Sequence, residues 1–216
     1  MTPGAPRGET CVKMGRPSNT AERRAQIVDA LLTVVSKEGY ARATIAAVAR
    51  EAGLTAGLLH YHFASKQEIL VALVERLVAR LEERFQTRLA EAGDEPRARL
   101  FAWVDAHVAL GADADPRAVA AWVVIGAEAV REPEVRDLYT AALVASRDRL
   151  RTLVAACLRA AGRSTRSSDR IAAALLSAIE GAYRVNAAAP GVLADGWAAP
   201  TLRRMIDAWI ESEPAR

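Results

Sequence analysis

The sequence predicts an all-α chain of about nine helices, divided into an N-terminal three-helix unit that contains a helix-turn-helix and a larger C-terminal helical unit. Three observations carry this. Apolar residues recur at i, i+3, i+4, i+7 through almost every segment. No run of alternating β-branched residues argues for a strand. Glycine, proline and capping residues punctuate the chain at helix-length intervals.

The first helix starts near Asn19, where Asn19 and Glu22 have capping-box spacing. Ile27, Ala30, Leu31, Val34 and Val35 form one apolar stripe, and Gly39 ends it. Thr44 opens a short helix through Ile45, Val48 and Ala49, which Gly53 breaks. Thr55 opens a second short helix that ends near His62. Ser65 and Glu68 make a further capping box at the head of a long helix over 65–91, with Ile69, Leu70, Leu73, Val74, Leu77, Val78 and Leu81 on one face. After the Gly93–Pro96 break, helices are expected over 97–110, 116–131, 134–161, 168–187 and 200–212. Pro116, Pro133 and Pro200 suit first-turn positions. The implied organisation is a disordered tail over 1–18, a helix-turn-helix unit over 19–66, and a larger helical unit over 67–216. Met14 is an alternative start, which would make residues 1–13 an extension.

Of 216 residues, 51% are hydrophobic and 25% charged, enough for a sizeable core and too apolar for global disorder. The net charge of +3 is modest, but it is unevenly spread. Residues 1–66 hold nine Lys/Arg against five acids, an excess of +4, while the remaining 150 residues carry a net −1. Such a bias is the electrostatic footprint expected for phosphate. Cys11 and Cys157 make neither a disulfide framework nor a zinc spacing, which fits a cytoplasmic protein. No stretch reads as a signal peptide or a bilayer span.

The stretch from Thr44 to Lys66 carries the chemistry. Small apolar residues on its first helix let the second cross closely, and Gly53 makes the turn. The second helix would lie in the major groove with its N-terminal residues toward base edges. Thr44 and Thr55 place hydroxyls and backbone N–H groups at helix starts, where phosphate oxygens bind well. Tyr61 and Lys66 flank the far end within reach of the DNA backbone. Two short helices packing as part of an ordinary bundle would explain the pattern alone, but not the pattern together with the charge bias. His60 and His62 do not share a helix face, so no metal site is expected. Upstream, Arg16 lies between Gly15 and Pro17, placed to enter a minor groove or to remain in a solvated tail.

This stretch resembles the TetR family of regulators through Thr44, Ile45, Ala49, Ala52, Gly53, Leu54, Thr55, Gly57, Leu59, His62, Phe63, Ser65, Lys66 and Leu70. The resemblance implies phosphate contacts at Thr44, Thr55, Tyr61 and Lys66, and base reading at Ala56, Gly57 and His60. The family has tyrosine where this chain has His60, so either His60 or Tyr61 meets phosphate. Trp122, Glu128, Pro133, Tyr139 and the Glu180-Gly181 pair make the C-terminal part resemble the choline-responsive, BetI-like branch.

All four tryptophans lie in that part. Trp103, His107, Trp122, Glu128, Tyr139, Tyr183 and Asn186 are the expected ligand-binding residues, suited to a hydrophobic effector or, through cation–π attraction, a cationic one. Glu180 and Arg184, at i and i+4, read as an ordinary surface pair. Ile171, Leu175 and Ile179 on one helix, and Leu202, Met205, Ile206 and Trp209 on the last, form stripes expected to pair across a two-fold axis as a four-helix bundle.

The reading is a ligand-responsive DNA-binding transcriptional regulator, a homodimeric repressor on a palindromic double-stranded operator, without cofactor, metal or membrane association. The alternative is a helical ligand carrier or enzyme whose N-terminal helices do not bind DNA. No catalytic constellation supports an enzyme.

Overall fold

The computed structural model describes residues 19–109 and 114–216, and the expectations for the tail and for Arg16 fall outside them. Among the described residues are nine helices: α1 (Asn19–Glu38), α2 (Ile45–Glu51), α3 (Ala56–His62), α4 (Lys66–Ala92), α5 (Pro96–Val108), α6 (Pro116–Glu128), α7 (Pro133–Ala160), α8 (Ser168–Ala188) and α9 (Ala198–Ser212). Extended pairing among them is limited to one bridge, Arg163 with Ala215.

The helix starts follow the capping chemistry. Thr44 Oγ1 accepts from Ala47 N at 3.1 Å, Thr55 Oγ1 from Leu58 N at 3.2 Å, and Ser65 Oγ from Glu68 N at 3.1 Å. Asn19 differs from expectation: it is already helical, so it does not cap α1. Helix α9 starts at Ala198, so Pro200 sits inside the first turn rather than at its head. The first four N–H groups of a helix have no intrahelical partner, so proline costs little there.

Two cores organise the molecule. The first joins Ile27, Leu31 and Val35 of α1 to Val48, Leu59, Phe63 and Leu70 around the helix-turn-helix, and reaches Ala121 and Ile125 on α6. The second holds Phe85, Leu100, Val104, Leu150, Leu175 and Leu202, and packs the far half of α4 with α5, α7, α8 and α9. Helix α6 therefore bridges the two, and Trp122 packs against both. No helix among the described residues is long and apolar enough to cross a membrane.

One expectation is corrected here. Ile171, Leu175, Ile179, Leu202 and Ile206 are at most 5% exposed within the single chain, so they fill its own core rather than a subunit interface. A 3.6-residue stripe reports that a face is buried and says nothing of what buries it. Of the named set, Met205 is 39% exposed and Trp209 is half-buried.

Candidate DNA-binding surface and effector cleft

Helix α3 has seven residues, too few to be stable alone. Its order comes from anchoring. Leu59 and His62 are buried, and Phe63 just beyond the helix is 1% exposed. Arg24 of α1 clamps that end: it donates to the His62 carbonyl, pairs with Glu68 of α4 at 3.2 Å, and lays its guanidinium 3.8 Å from the Phe63 ring centroid. Glu68 also accepts from Ala64 N at 2.8 Å, and that bond, followed by the Arg24 contacts, holds its carboxyl below the usual range. The turn before α3 places Gly53 at φ 65°, a left-handed conformation natural to glycine.

What remains outward is the other face. Thr55, Ala56, Gly57, His60 and Tyr61 are all exposed, Tyr61 at 79%. Thr44 is exposed too. The threonine oxygens accept from helix N–H groups, so each hydroxyl proton remains available to donate to a phosphate oxygen. Lys66 is placed differently from its neighbours. Its Nζ donates to the Tyr40 carbonyl at 3.2 Å and lies 3.8 Å from the Tyr40 ring centroid. An ammonium has three N–H donors, so phosphate can still be met from this position.

The predicted ligand residues divide into groups. His107, Trp122 and Tyr183 line a small cleft between α4, α5, α6 and α8, whose apolar wall includes Leu77, Leu81 and Val119. Asn186 lines an adjoining space that shares His107 and Tyr183. Trp103 is buried behind His107, stacked on it at 3.7 Å between centroids. Tyr139 packs against Trp122 at 4.8 Å. Glu128 lies elsewhere, lining a separate depression with Tyr40, Lys66, Glu132 and Glu134. Burial, with these three glutamates, pushes the Tyr40 phenol up to about 12.

Hydrogen bonds fix the cleft. His107 Nδ1 lies 2.9 Å from the Trp103 carbonyl, so that nitrogen carries the proton and donates it. Burial pulls the imidazole down to about 4, and it is therefore neutral at pH 7. The Tyr183 hydroxyl donates to the His107 carbonyl at 3.0 Å.

Three residues that the sequence reading left out complete the site. Glu180, read as a surface residue, accepts from Trp122 Nε1 at 3.1 Å and from the Tyr139 hydroxyl at 2.8 Å. Arg80 and Arg84 of α4 stand in the cleft wall. Their spacing of three residues from Leu77 and Leu81 was the available signal, since helical residues three apart are neighbours. Gly126 permits the Trp122–Tyr139–Glu180 network: a Cβ there would lie 2.9 Å from both Cζ and the hydroxyl of Tyr139. Any side chain at 126 displaces that phenol from Glu180.

The comparisons agree with this geometry. Residues 27–73 match the family model of bacterial regulatory proteins of the tetR family, and residues 96–213 match the C-terminal model of the BetI-type transcriptional repressor. The HTH-type transcriptional regulator BetI of Rhizobium meliloti (strain 1021) is 35% identical over 162 residues, covering 74% of this chain and 76% of its own length. The BetI of Agrobacterium fabrum (strain C58 / ATCC 33970) is 36% identical over 164 residues, covering 74% and 75%. Among solved structures, a transcriptional regulator of Rhodococcus sp. Rha1 superposes with TM-score 0.74 at 22% identity, covering 88% of this chain and 97% of that one. A transcriptional regulator from Saccharomonospora viridis in complex with choline gives TM-score 0.71 at 22% identity, covering 91% and 99%. With both halves matched in order on an all-α body that exposes one face of α3, the chain belongs to the tetR family of bacterial regulatory proteins and is a transcriptional regulator with a BetI-type C-terminal region.

Proposed function

We propose that the protein is a homodimeric, cytoplasmic repressor that reads a palindromic operator with α3 and is released by a small molecule bound in the α4–α5–α6–α8 cleft. The carrying observation is the row Thr55, Ala56, Gly57, His60 and Tyr61, exposed together on a helix whose opposite face is locked by Leu59, Phe63 and Arg24. Thr44, Thr55, Tyr61 and Lys66 meet phosphate. Ala56 and Gly57 read by methyl contact and close approach, and His60 by hydrogen bonding. Residues 19–66 form the DNA-binding unit and the rest senses and dimerises. Arg16, outside the described residues, is the minor-groove candidate.

For the dimer we assign the outward face of α8, which exposes Ala173, Ser177 and Gly181, together with Met205 and Trp209 of α9. Small residues there let a second copy approach closely. At micromolar concentration the protein is expected to sediment as a dimer, and a monomer would remove this assignment. The effector is a mainly apolar molecule, since Asp115, the one carboxylate in the cleft wall among the described residues, is already bonded to Arg80 and Arg117. Its binding favours a conformer in which α4 carries the recognition helices away from half-site spacing.

The test is DNA binding against salt. Lys66→Ala is expected to weaken binding to every sequence and to lower the salt slope by about 1, because one phosphate contact is lost. An unchanged slope would leave Lys66 as a purely structural partner of Tyr40. Footprints on intergenic DNA beside its own gene should be palindromic, and none at all would sink the operator reading.

A further inference from the structure

Two adjacent residues of α3 have no role in holding the fold. Leu58 is a large apolar side chain, 40% exposed, and among the described residues it adds to neither core. Gly57 has an ordinary helical backbone, and a Cβ there would meet nothing within 4 Å. Neither conformation nor packing asks for glycine at 57, and glycine weakens a helix relative to alanine. A lone exposed leucine is ordinary on a protein surface. This one is set apart by its neighbours.

Residues three apart on a helix are neighbours, so exposed Thr55, Leu58 and Tyr61 follow one another along one edge of α3. Whatever meets Thr55 and Tyr61 therefore passes over Leu58 as well. The Leu58 backbone N–H is occupied, donating to Thr55 Oγ1 at 3.2 Å. What Leu58 offers a partner is thus a branched apolar side chain with no donor or acceptor. The missing Cβ at Gly57 lets the helix backbone come close to that partner, which brings the leucine within contact of a base edge. In the major groove adenine, guanine and cytosine present ring-nitrogen, carbonyl and amino groups, whereas thymine adds a C5-methyl. Pressed on a polar edge, leucine would cut that edge off from water without bonding it. Pressed on the methyl, it buries apolar surface on both sides.

We propose that Leu58 is a specificity-determining residue that reads one thymine in each half-site by packing on its C5-methyl group. This rests on the reading of α3 as the base-reading helix of a dimer, and it adds to that helix a residue and the base it selects. Ala56 and His60, four residues apart, lie along the opposite edge of α3. The thymine met by Leu58 and the base met by His60 are therefore different positions of the half-site.

The test starts from the full protein and a library of random duplex DNA, from which the protein selects its own site. In one recovered half-site each thymine is then replaced in turn by deoxyuridine, which removes the methyl and keeps every hydrogen-bonding group. Fluorescence anisotropy titrations are expected to find one thymine whose methyl loss weakens binding about fourfold, the effect of exposing one buried methyl. Leu58→Ala should bind the thymine and uracil sites equally, whereas Leu58→Met should keep the difference. Both variants should unfold close to the parent's denaturant midpoint, since residue 58 packs in neither core. A half-site without thymine, or one in which no methyl matters, would overturn the assignment while leaving α3 as the base-reading helix. A methyl effect that persists unchanged in Leu58→Ala would refute it in favour of Ala56. Recovery of no preferred sequence would remove the base-reading role of α3 and this inference with it.

Discussion

Arg203→Ala will lower the unfolding free energy by about 3 kcal/mol, the cost of stranding a buried carboxylate. Asp105 of α5 has a side chain only 11% exposed, and Arg203 of α9 grips it with two nitrogens, Nε at 3.0 Å from Oδ1 and the terminal nitrogen on Oδ2. Water cannot readily replace those donors at a carboxylate this deeply buried. Because Arg203 is itself 45% exposed, the loss belongs at the lower end of what a broken buried pair costs. Denaturant midpoints give the value directly. Adding Asp105→Asn to Arg203→Ala should restore part of the loss, since the charge is then gone. The pair Arg97–Asp207, at 2.6 Å but with side chains 49% and 28% exposed, is the control. Arg97→Ala should cost under about 1 kcal/mol. Equal losses for the two variants would mean that Asp105 is solvated.

The second large effect is acid sensitivity centred on His107. Its imidazole titrates near 4 when folded, pulled down chiefly by burial and secondarily by Arg84, against an ordinary value near 6.5. Between these values the unfolded chain holds a proton that the folded chain does not. Stability therefore rises with pH across this window. The contribution is complete above about 6.5 and is lost progressively as pH falls toward 4, amounting to about 3 kcal/mol. His107→Gln removes the titration while keeping a side-chain donor for the Trp103 carbonyl. The variant should lose about 3 kcal/mol less than the parent between pH 7.5 and pH 4. Parallel stability curves for parent and variant would show that His107 is protonated in place without penalty.

Local chemistry was the legible part of the sequence. Thr44, Thr55 and Ser65 cap the helices they were expected to cap, and Pro116 and Pro133 stand at helix starts, because a cap is decided within four residues. The helix-turn-helix was legible for the same reason. Properties fixed by juxtaposition were not. Glu180 meets Trp122 across 58 residues of sequence and Tyr139 across 41, and no periodicity on α8 encodes those distances. The stripe Ile171, Leu175 and Ile179 was correctly apolar but assigned to the wrong partner, since either a subunit or α7 satisfies the same pattern. Arg80 and Arg84 went unnamed because only the packing of α5, α6 and α8 makes their face of α4 part of a cleft wall. Glu128 is an acid near the end of α6, and only packing reveals that it faces Tyr40 rather than the cleft.

The division of labour across α3 has an evolutionary consequence. Residues that fasten the helix (Leu59, Phe63 and the Arg24 clamp) do not overlap with those on its exposed row. Ala56, Gly57, His60 and Tyr61 add nothing to either core, so substitutions there come at almost no cost in folding. A duplicated copy of this gene is thus free to remodel this surface in single steps, each a stable protein, while the rest of the chain stays as it was.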